Sequence, residues 1–191
     1  MKRLYLYLFL LLFAFQTLSQ ADDIRDFQIE GISIGDSLLD YFSEEEIKKD
    51  TQKVFPKSNK FLSITFRFLP KFEVYDGVQF FYKENDKKYI VYQITGQIYY
   101  EDFKDCNKKY NEIVAEFSDL FPNATIEDEG YQKHTSLKSS YYQRTWFEFD
   151  SGSNVYVVCY DWSSDTDMRD GLGVAINQKE YYNFLQNEAY E

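Results

Sequence analysis

The residues with reactive side chains are few and scattered. His134 is the only imidazole in 191 residues, so any histidine-based proton transfer must use it. It lies among Lys133, Thr135, Ser136 and Lys138, and no Gly-x-Ser-x-Gly stretch frames a nucleophile for it. A solvated loop histidine accounts for this pattern better than a general base. Asp161, Asp165, Asp167 and Asp170 make the densest carboxylate cluster. Asp165-x-Asp167 opens as a calcium loop would. Arg169 then takes the next ligand position, and Asp170 stands where the sharp turn needs glycine. The cluster reads as an acidic loop between strands, and no metal or other cofactor is expected. Glu148 and Asp161 fall on neighbouring strands and are the nearest approach to a glycosidase carboxylate pair. The strand pattern makes both terminal or solvent-facing. No catalytic set emerges.

Aromatic side chains are the more informative group. Tyr142, Trp146, Tyr156, Tyr160 and Trp162 share the even-numbered side of one hairpin, with Arg144 and Glu148 among them. An aromatic sheet face carrying a few charges can bind a sugar, a peptide or a partner protein. The competing reading is that a helix or another sheet covers it as a second core layer. The length of the face favours that reading.

The elements that would hold these residues follow from periodicity. Phe27, Ile29, Ile32 and Ile34 read as an extended lead-in across Gly31. Gly35-Asp36-Ser37 opens a short helix with Leu38, Leu39 and Phe42 on its apolar side, and Asp36 or Ser37 can cap it. Ser43 to Glu46 has capping-box spacing for a second helix through Lys49. From Phe61 the period becomes two: Leu62, Ile64, Phe66 and Phe68 alternate with polar residues until Pro70. Val78, Phe80 and Tyr82 form a second strand, and Ile90, Tyr92, Ile94 and Ile98 a third. A turn at Glu84–Lys87 sets Tyr82 by Ile90, Phe80 by Tyr92 and Val78 by Ile94, an antiparallel meander. Asp102 to Phe121 is the strongest helix, with Phe103, Cys106, Tyr110, Ile113, Val114, Phe117, Leu120 and Phe121 on one stripe. Residues 122–140 are polar and read as a loop. Tyr141–Phe149 and Val155–Trp162 flank an Asp-Ser-Gly-Ser-Asn turn, which sets Phe147 by Val157 and Thr145 by Cys159. Leu172–Ile176 is a short strand and Gln178–Tyr190 a terminal helix.

These placements give the two cysteines a meaning. Cys106 lies on the apolar stripe of the long helix and Cys159 on the core face of its strand. The two can meet where helix packs on sheet, so a disulfide is favoured over two buried thiols.

Composition sets the remaining bounds. There are 18 Tyr, 18 Phe and 2 Trp, too much apolar area for a disordered acidic chain. With 32 acidic and 21 basic residues the net charge is −11, unsuited to a phosphate backbone, so nucleic acid is not an expected partner. Two Cys and one His cannot make a four-ligand zinc site of that type. Lys2-Arg3, the apolar run Leu4–Phe15 and Ser19-Gln20-Ala21 have the layout of a secretory signal peptide cleaved after Ala21. A spanning anchor wants about 20 apolar residues. No cysteine lies nearby to carry a lipid. Cleavage would leave residues 22–191 as one α+β domain, with possible halves 22–121 and 141–191 joined by 122–140. An exported protein can keep its disulfide.

The segment Ile29-Glu30-Gly31-Ile32-Ser33-Ile34-Gly35-Asp36-Ser37-Leu38, the helix beginning near Cys106, Val157–Trp162 and Gly171-Leu172-Gly173-Val174-Ala175-Ile176 together resemble a group of uncharacterised exported proteins of marine bacteria with AT-rich genomes. The excess of Lys over Arg, 16 against 5, agrees with such a genome. The resemblance implies export and brings no activity, cofactor or catalytic residue. The order of helices before three strands is also similar to the helix-helix-three-strand modules of periplasmic assembly lipoproteins and β-lactamase inhibitory proteins.

The expectation is therefore an α+β fold of antiparallel three-stranded meanders packed against a long central helix, with two βββα-like halves as one way to arrange it. Its function is expected to be non-catalytic binding of an unknown protein or small ligand in the periplasm or outside the cell. The candidate face is Tyr142, Arg144, Trp146, Tyr156, Tyr160 and Trp162. A carboxylate-based hydrolase and an envelope-assembly or inhibitor-like module are the alternatives.

Overall fold

A computed structural model describes residues 24, 27–135, 137 and 139–190. The expected leader, residues 1–21, lies outside the described residues. The chain opens with a small hairpin, β1 (Gln28–Ile29) and β2 (Ile32–Ser33). A 3-10 turn (Leu38–Asp40) follows, capped by the Ser37 side chain, which accepts from Leu39 N–H. Helix α1 (Glu44–Asp50) carries the anticipated capping box: Ser43 accepts from Glu46 N–H while the Glu46 carboxylate accepts from Ser43 N–H at 2.8 Å.

Seven longer strands make one antiparallel sheet: β3 (Phe61–Arg67), β4 (Gly77–Lys83), β5 (Gln93–Tyr99), β6 (Thr125–Lys133), β7 (Tyr141–Glu148), β8 (Asn154–Asp161) and β9 (Gly171–Asn177). Their order is β3-β4-β5-β9-β8-β7-β6. This overturns the expectation of separate three-stranded meanders. β9 enters between the two hairpin systems, pairing Ile94 with Ile176 on one side and Val155 with the same Ile176 on the other. Without it, β5 and β8 would each present an unpaired row of backbone groups. All seven residues of β9 are buried, as an interior strand requires.

A second correction concerns 122–140. The stretch expected to be a loop contains β6, which pairs with β7 along its length and forms the outer edge. Its charges and its irregularity at Asp128/Gly130 hide the period-two signal and suit an edge strand.

Both hairpins pair two residues away from the expected register. Phe80 faces Ile94 rather than Tyr92, and Thr145 faces Val157 rather than Cys159. A two-residue slip keeps each side chain that stays in the ladder on its expected face. In the first hairpin the cause is visible. Val91 N–H donates to Asp36 O, and Gly35 N–H to Val91 O, both at 2.9 Å. Those bonds draw residues 90–91 out of the ladder with β4. Tyr92 then turns to the opposite face and packs on Phe61, ring centres 5.4 Å apart. Phe68 also departs from its expected row: β3 ends at Arg67, Phe68 has φ +53°, and its ring is exposed.

Helix α2 (Phe103–Leu120) begins at Asp102, whose carboxylate accepts from Lys104 N–H at 2.8 Å. It packs on β8 and β9. It buries Cys106, Tyr110 and Phe117 against Val155, Val157, Leu172 and Val174. Tyr110 and Thr145 hydroxyls bond to each other inside this layer. Phe117 and Phe121 enclose Phe147 at 5.7 and 6.0 Å. Helix α3 (Lys179–Asn187) lies on the other face of the sheet, at one end only. There Tyr181 and Phe184 pack with Phe55, Phe61 and Phe81 as a second, smaller core.

Cys106 and Cys159 are both fully buried and placed as a disulfide pair, Cα atoms 6.0 Å apart and 53 residues apart in sequence. Replacing both by Ala is expected to lower the unfolding free energy by about 4 kcal/mol, the chain-entropy value for closing a loop of that length. Denaturant titration of the oxidised protein measures the loss. Thiol titration before reduction should find no reactive cysteine.

Candidate functional site

Side chains alternate across the sheet, so the rows not facing α2 form a second surface. α3 covers one end of it. At the other end an open trough of about 540 Å³ remains, within the size range of small-molecule sites. Its floor is β9, where Gly171 and Gly173 present no side chain. A Cβ at Gly171 would stand 2.7 Å from the Ile98 carbonyl oxygen, so the close approach of β5 requires glycine there. Tyr99 on β5 and Tyr160 on β8 flank this floor. Two interstrand spacings set those walls about 10 Å apart.

One wall is a hydrogen-bonded chain. Gln79 Nε2 donates to Ser63 Oγ at 3.0 Å. Arg67 Nε donates to the Tyr99 hydroxyl at 3.2 Å, and that hydroxyl donates to Gln97 Oε1 at 3.1 Å. The other wall is aromatic. Tyr160 and Trp162 stack with ring centres 4.6 Å apart and planes 13° from parallel. Residues 163–170 connect β8 to β9 and bring Asp167, Met168 and Arg169 to the rim. That connection is tied down where Trp162 N–H donates to Asp170 Oδ1 at 2.6 Å and Ser163 N–H to Ser140 Oγ at 3.0 Å. Burial raises the pKa of Tyr156 and Tyr160, so both stay protonated and able to donate at neutral pH.

The six residues of the expected binding face are all half-buried, and they divide into two groups. Tyr156, Tyr160 and Trp162 line the trough. Tyr142, Arg144 and Trp146 belong to a self-satisfied layer beside it. Glu129, on β6, accepts from Arg144 Nη2 at 2.8 Å and from Trp146 Nε1 at 2.7 Å. The Arg144 guanidinium lies 4.6 Å from the Trp146 ring and 5.1 Å from Tyr142. Tyr182 of α3 packs on Trp146 at 5.8 Å. The charge that made this row look like a binding face is thus spent within the fold. The sequence held no clear sign of Glu129 as partner, because the irregular edge strand that carries it read as a loop.

The remaining candidates are placed apart. Glu148 and Asp161 sit at opposite ends of their hairpin, seven strand positions or about 23 Å apart, and on opposite faces. Glu148 accepts from the Tyr182 hydroxyl. Asp161 accepts from the Tyr131 hydroxyl at 2.8 Å. Burial and that bond push the Tyr131 pKa up to about 12. His134 lies at the end of β6, its ring 5.3 Å from Trp162, with Nδ1 accepting from Leu137 N–H. Among the described residues no group of three or more His, Cys, Asp or Glu side chains is arranged to hold a metal ion.

Sequence reasoning missed Arg67, Gln79, Gln97, Tyr99, Arg169 and the glycine floor. The polar alternates of the first meander were visible as a polar face. Nothing local showed that β9 would join that face to the second hairpin.

Glu129 generates a prediction. Burial would raise its carboxyl pKa, but the bonds from Arg144 and Trp146 outweigh burial and hold it below the ordinary 4.5. A depressed folded pKa contributes stability that is complete above the unfolded value and lost as pH falls through the folded one. Glu129→Gln should therefore cost about 2 kcal/mol at neutral pH, the scale for breaking a partly buried charged pair. It should cost progressively less below pH 4.5. Thermal unfolding of both proteins between acid and neutral pH measures the difference.

No protein-family model matches the chain, and the searches of curated proteins and of solved structures returned no match.

Proposed function

We propose that this is an exported, non-catalytic binding protein that holds a small ligand in the trough over β9. The observation that carries the reading is the mismatch between the two parts of one sheet face. Beside the trough, Arg144, Trp146 and Glu129 satisfy one another. In the trough, amide, hydroxyl, guanidinium and aromatic groups converge on open space. Convergent polar groups in a partly apolar concavity are what a ligand site needs.

A two-carboxylate hydrolase finds less support. Its carboxyl groups must stand within about 5–10 Å of each other across a substrate, and Asp167 is the one carboxylate among the described lining residues. Export is supported by the basic head, apolar run and small-residue cleavage pattern of residues 1–21. The Cys106–Cys159 pair agrees with it, since disulfides persist in oxidising compartments. Among the described residues no helix is long and apolar enough to cross a membrane.

Two measurements test this. The N-terminal residue of the protein recovered from cells should be Asp22, and recovery of intact Met1 would overturn the leader. Screening small metabolites and short glycans by Trp fluorescence should give ligands whose affinity falls about tenfold or more in Trp162→Ala. The same ligands should be unaffected by Leu120→Ser on the far side of the sheet. Equal effects of the two substitutions would overturn the trough as the site.

A further inference from the structure

The charged end of the trough is mainly basic, with Arg67 and Arg169 against the single carboxylate among the described lining residues, Asp167. Arg67 Nε bonds to the Tyr99 hydroxyl at 3.2 Å. The Arg169 guanidinium lies 5.7 Å from the same Tyr99 ring and 6.0 Å from Phe68. Two cations thus gather around one side chain. Among the described residues neither is in an ion pair, in a chain with 32 acidic residues and only five arginines. Arg144, on the same sheet face, shows what a matched arginine looks like here: Glu129 meets it through both oxygens, at 2.8 and 2.9 Å. An anionic group between Arg67 and Arg169 would relieve their repulsion and use the planar forks that guanidinium offers to carboxylate.

The neighbouring groups narrow the anion to a kind of molecule. The strands that carry Tyr99 and Tyr160 stand about 10 Å apart across the floor, and a trough of about 540 Å³ admits a six-membered ring. Gln97 accepts from Tyr99 through Oε1, which leaves its Nε2 as a donor. Gln79 donates through Nε2, which leaves its Oε1 as an acceptor. A flat aromatic acid would leave these groups unmatched. A ring carrying several hydroxyls would match both kinds. Over the floor a peptide finds no main-chain edge, because β9 is an interior strand with both neighbours paired.

Resting on the trough as the ligand site, we propose that it binds a uronic-acid sugar. The carboxylate lies between Arg67 and Arg169, the hydroxyls meet Gln79 and Gln97, and the pyranose ring lies toward the Tyr160–Trp162 stack.

The test is calorimetric titration of the exported protein with oligogalacturonate, oligoglucuronate and the methyl ester of each, which keeps the shape and removes the charge. Each acid that binds should do so about tenfold or more tightly than its ester. Arg67→Gln and Arg169→Gln should each weaken acid binding about fivefold or more, and the double variant should erase the difference between acid and ester. Both side chains are exposed, so the melting temperature should not move. Trp162→Ala should weaken acid and ester alike. Equal affinity for acid and ester, or an acid preference that survives the double variant, overturns the uronate assignment. In that case the trough stands if Trp162→Ala still weakens binding. Uronate binding indifferent to all three substitutions overturns the assignment and the trough together. Absence of binding to either acid at about 10 mM overturns the assignment, and the ligand screen then judges the trough by itself.

Discussion

The structure depends on the insertion of β9 between β5 and β8. Each of those strands would otherwise end its hairpin system with an open row of N–H and C=O groups. β9 satisfies both rows at once, from Gln93–Asn177 to Tyr99–Gly171 on one side and from Asn154–Asn177 to Tyr160–Gly171 on the other. Its pairing with β8 is local in sequence, but its pairing with β5 closes a large stretch of chain, and such non-local contacts form slowly. The Cys106–Cys159 link joins α2 to β8 beside it and reduces the freedom of the unfolded chain that has to find this arrangement.

The same strand makes the two faces of the sheet unlike. On one face, Leu172, Val174 and Ile176 meet α2 and the aromatic cluster around Phe117 and Phe147. On the other, Gly171, Gly173 and Ala175 leave a low floor between taller side chains. α3 fills the end where Phe61 and Phe81 are apolar and stops short of the end where Arg67, Gln79 and Gln97 are polar. The trough is the part of that sheet face that no described helix covers, and its polar lining tolerates water in place of a covering layer.

Charge is distributed with the same division. Arg144 and Arg67 on the sheet face and Arg169 in the connection beside it have different fates. Arg144 is held by Glu129 of the edge strand and stacked on Trp146, which turns an apparent binding row into structure. Arg67 and Arg169 keep their charge at the trough's rim, against the acidic sign of the whole chain. Local sign, set by which carboxylates can reach, carries more information about a ligand than the net charge does.

The sequence by itself determined the parts whose cause is local. α2, the capping box of α1, the hairpin turn after Phe149 and the face of the strand residues other than Tyr92 and Phe68 all follow from spacing over a few residues. So does the meeting of Cys106 with Cys159, because two local periodicities each pointed a cysteine at the core. Only the tertiary structure decided the strand order, the two-residue registers and the identity of Glu129 as the partner of Arg144. Strand order depends on hydrogen bonds between segments about eighty residues apart, such as Ile94 with Ile176, which leave no mark in local periodicity. In the first hairpin register moved by two because bonds with Gly35 and Asp36 drew Val91 out of the ladder, a long-range effect that also sent Tyr92 to the opposite face. The trough exists because β9 sets two glycines between Tyr99 and Tyr160, and no reading of either hairpin alone contains that juxtaposition.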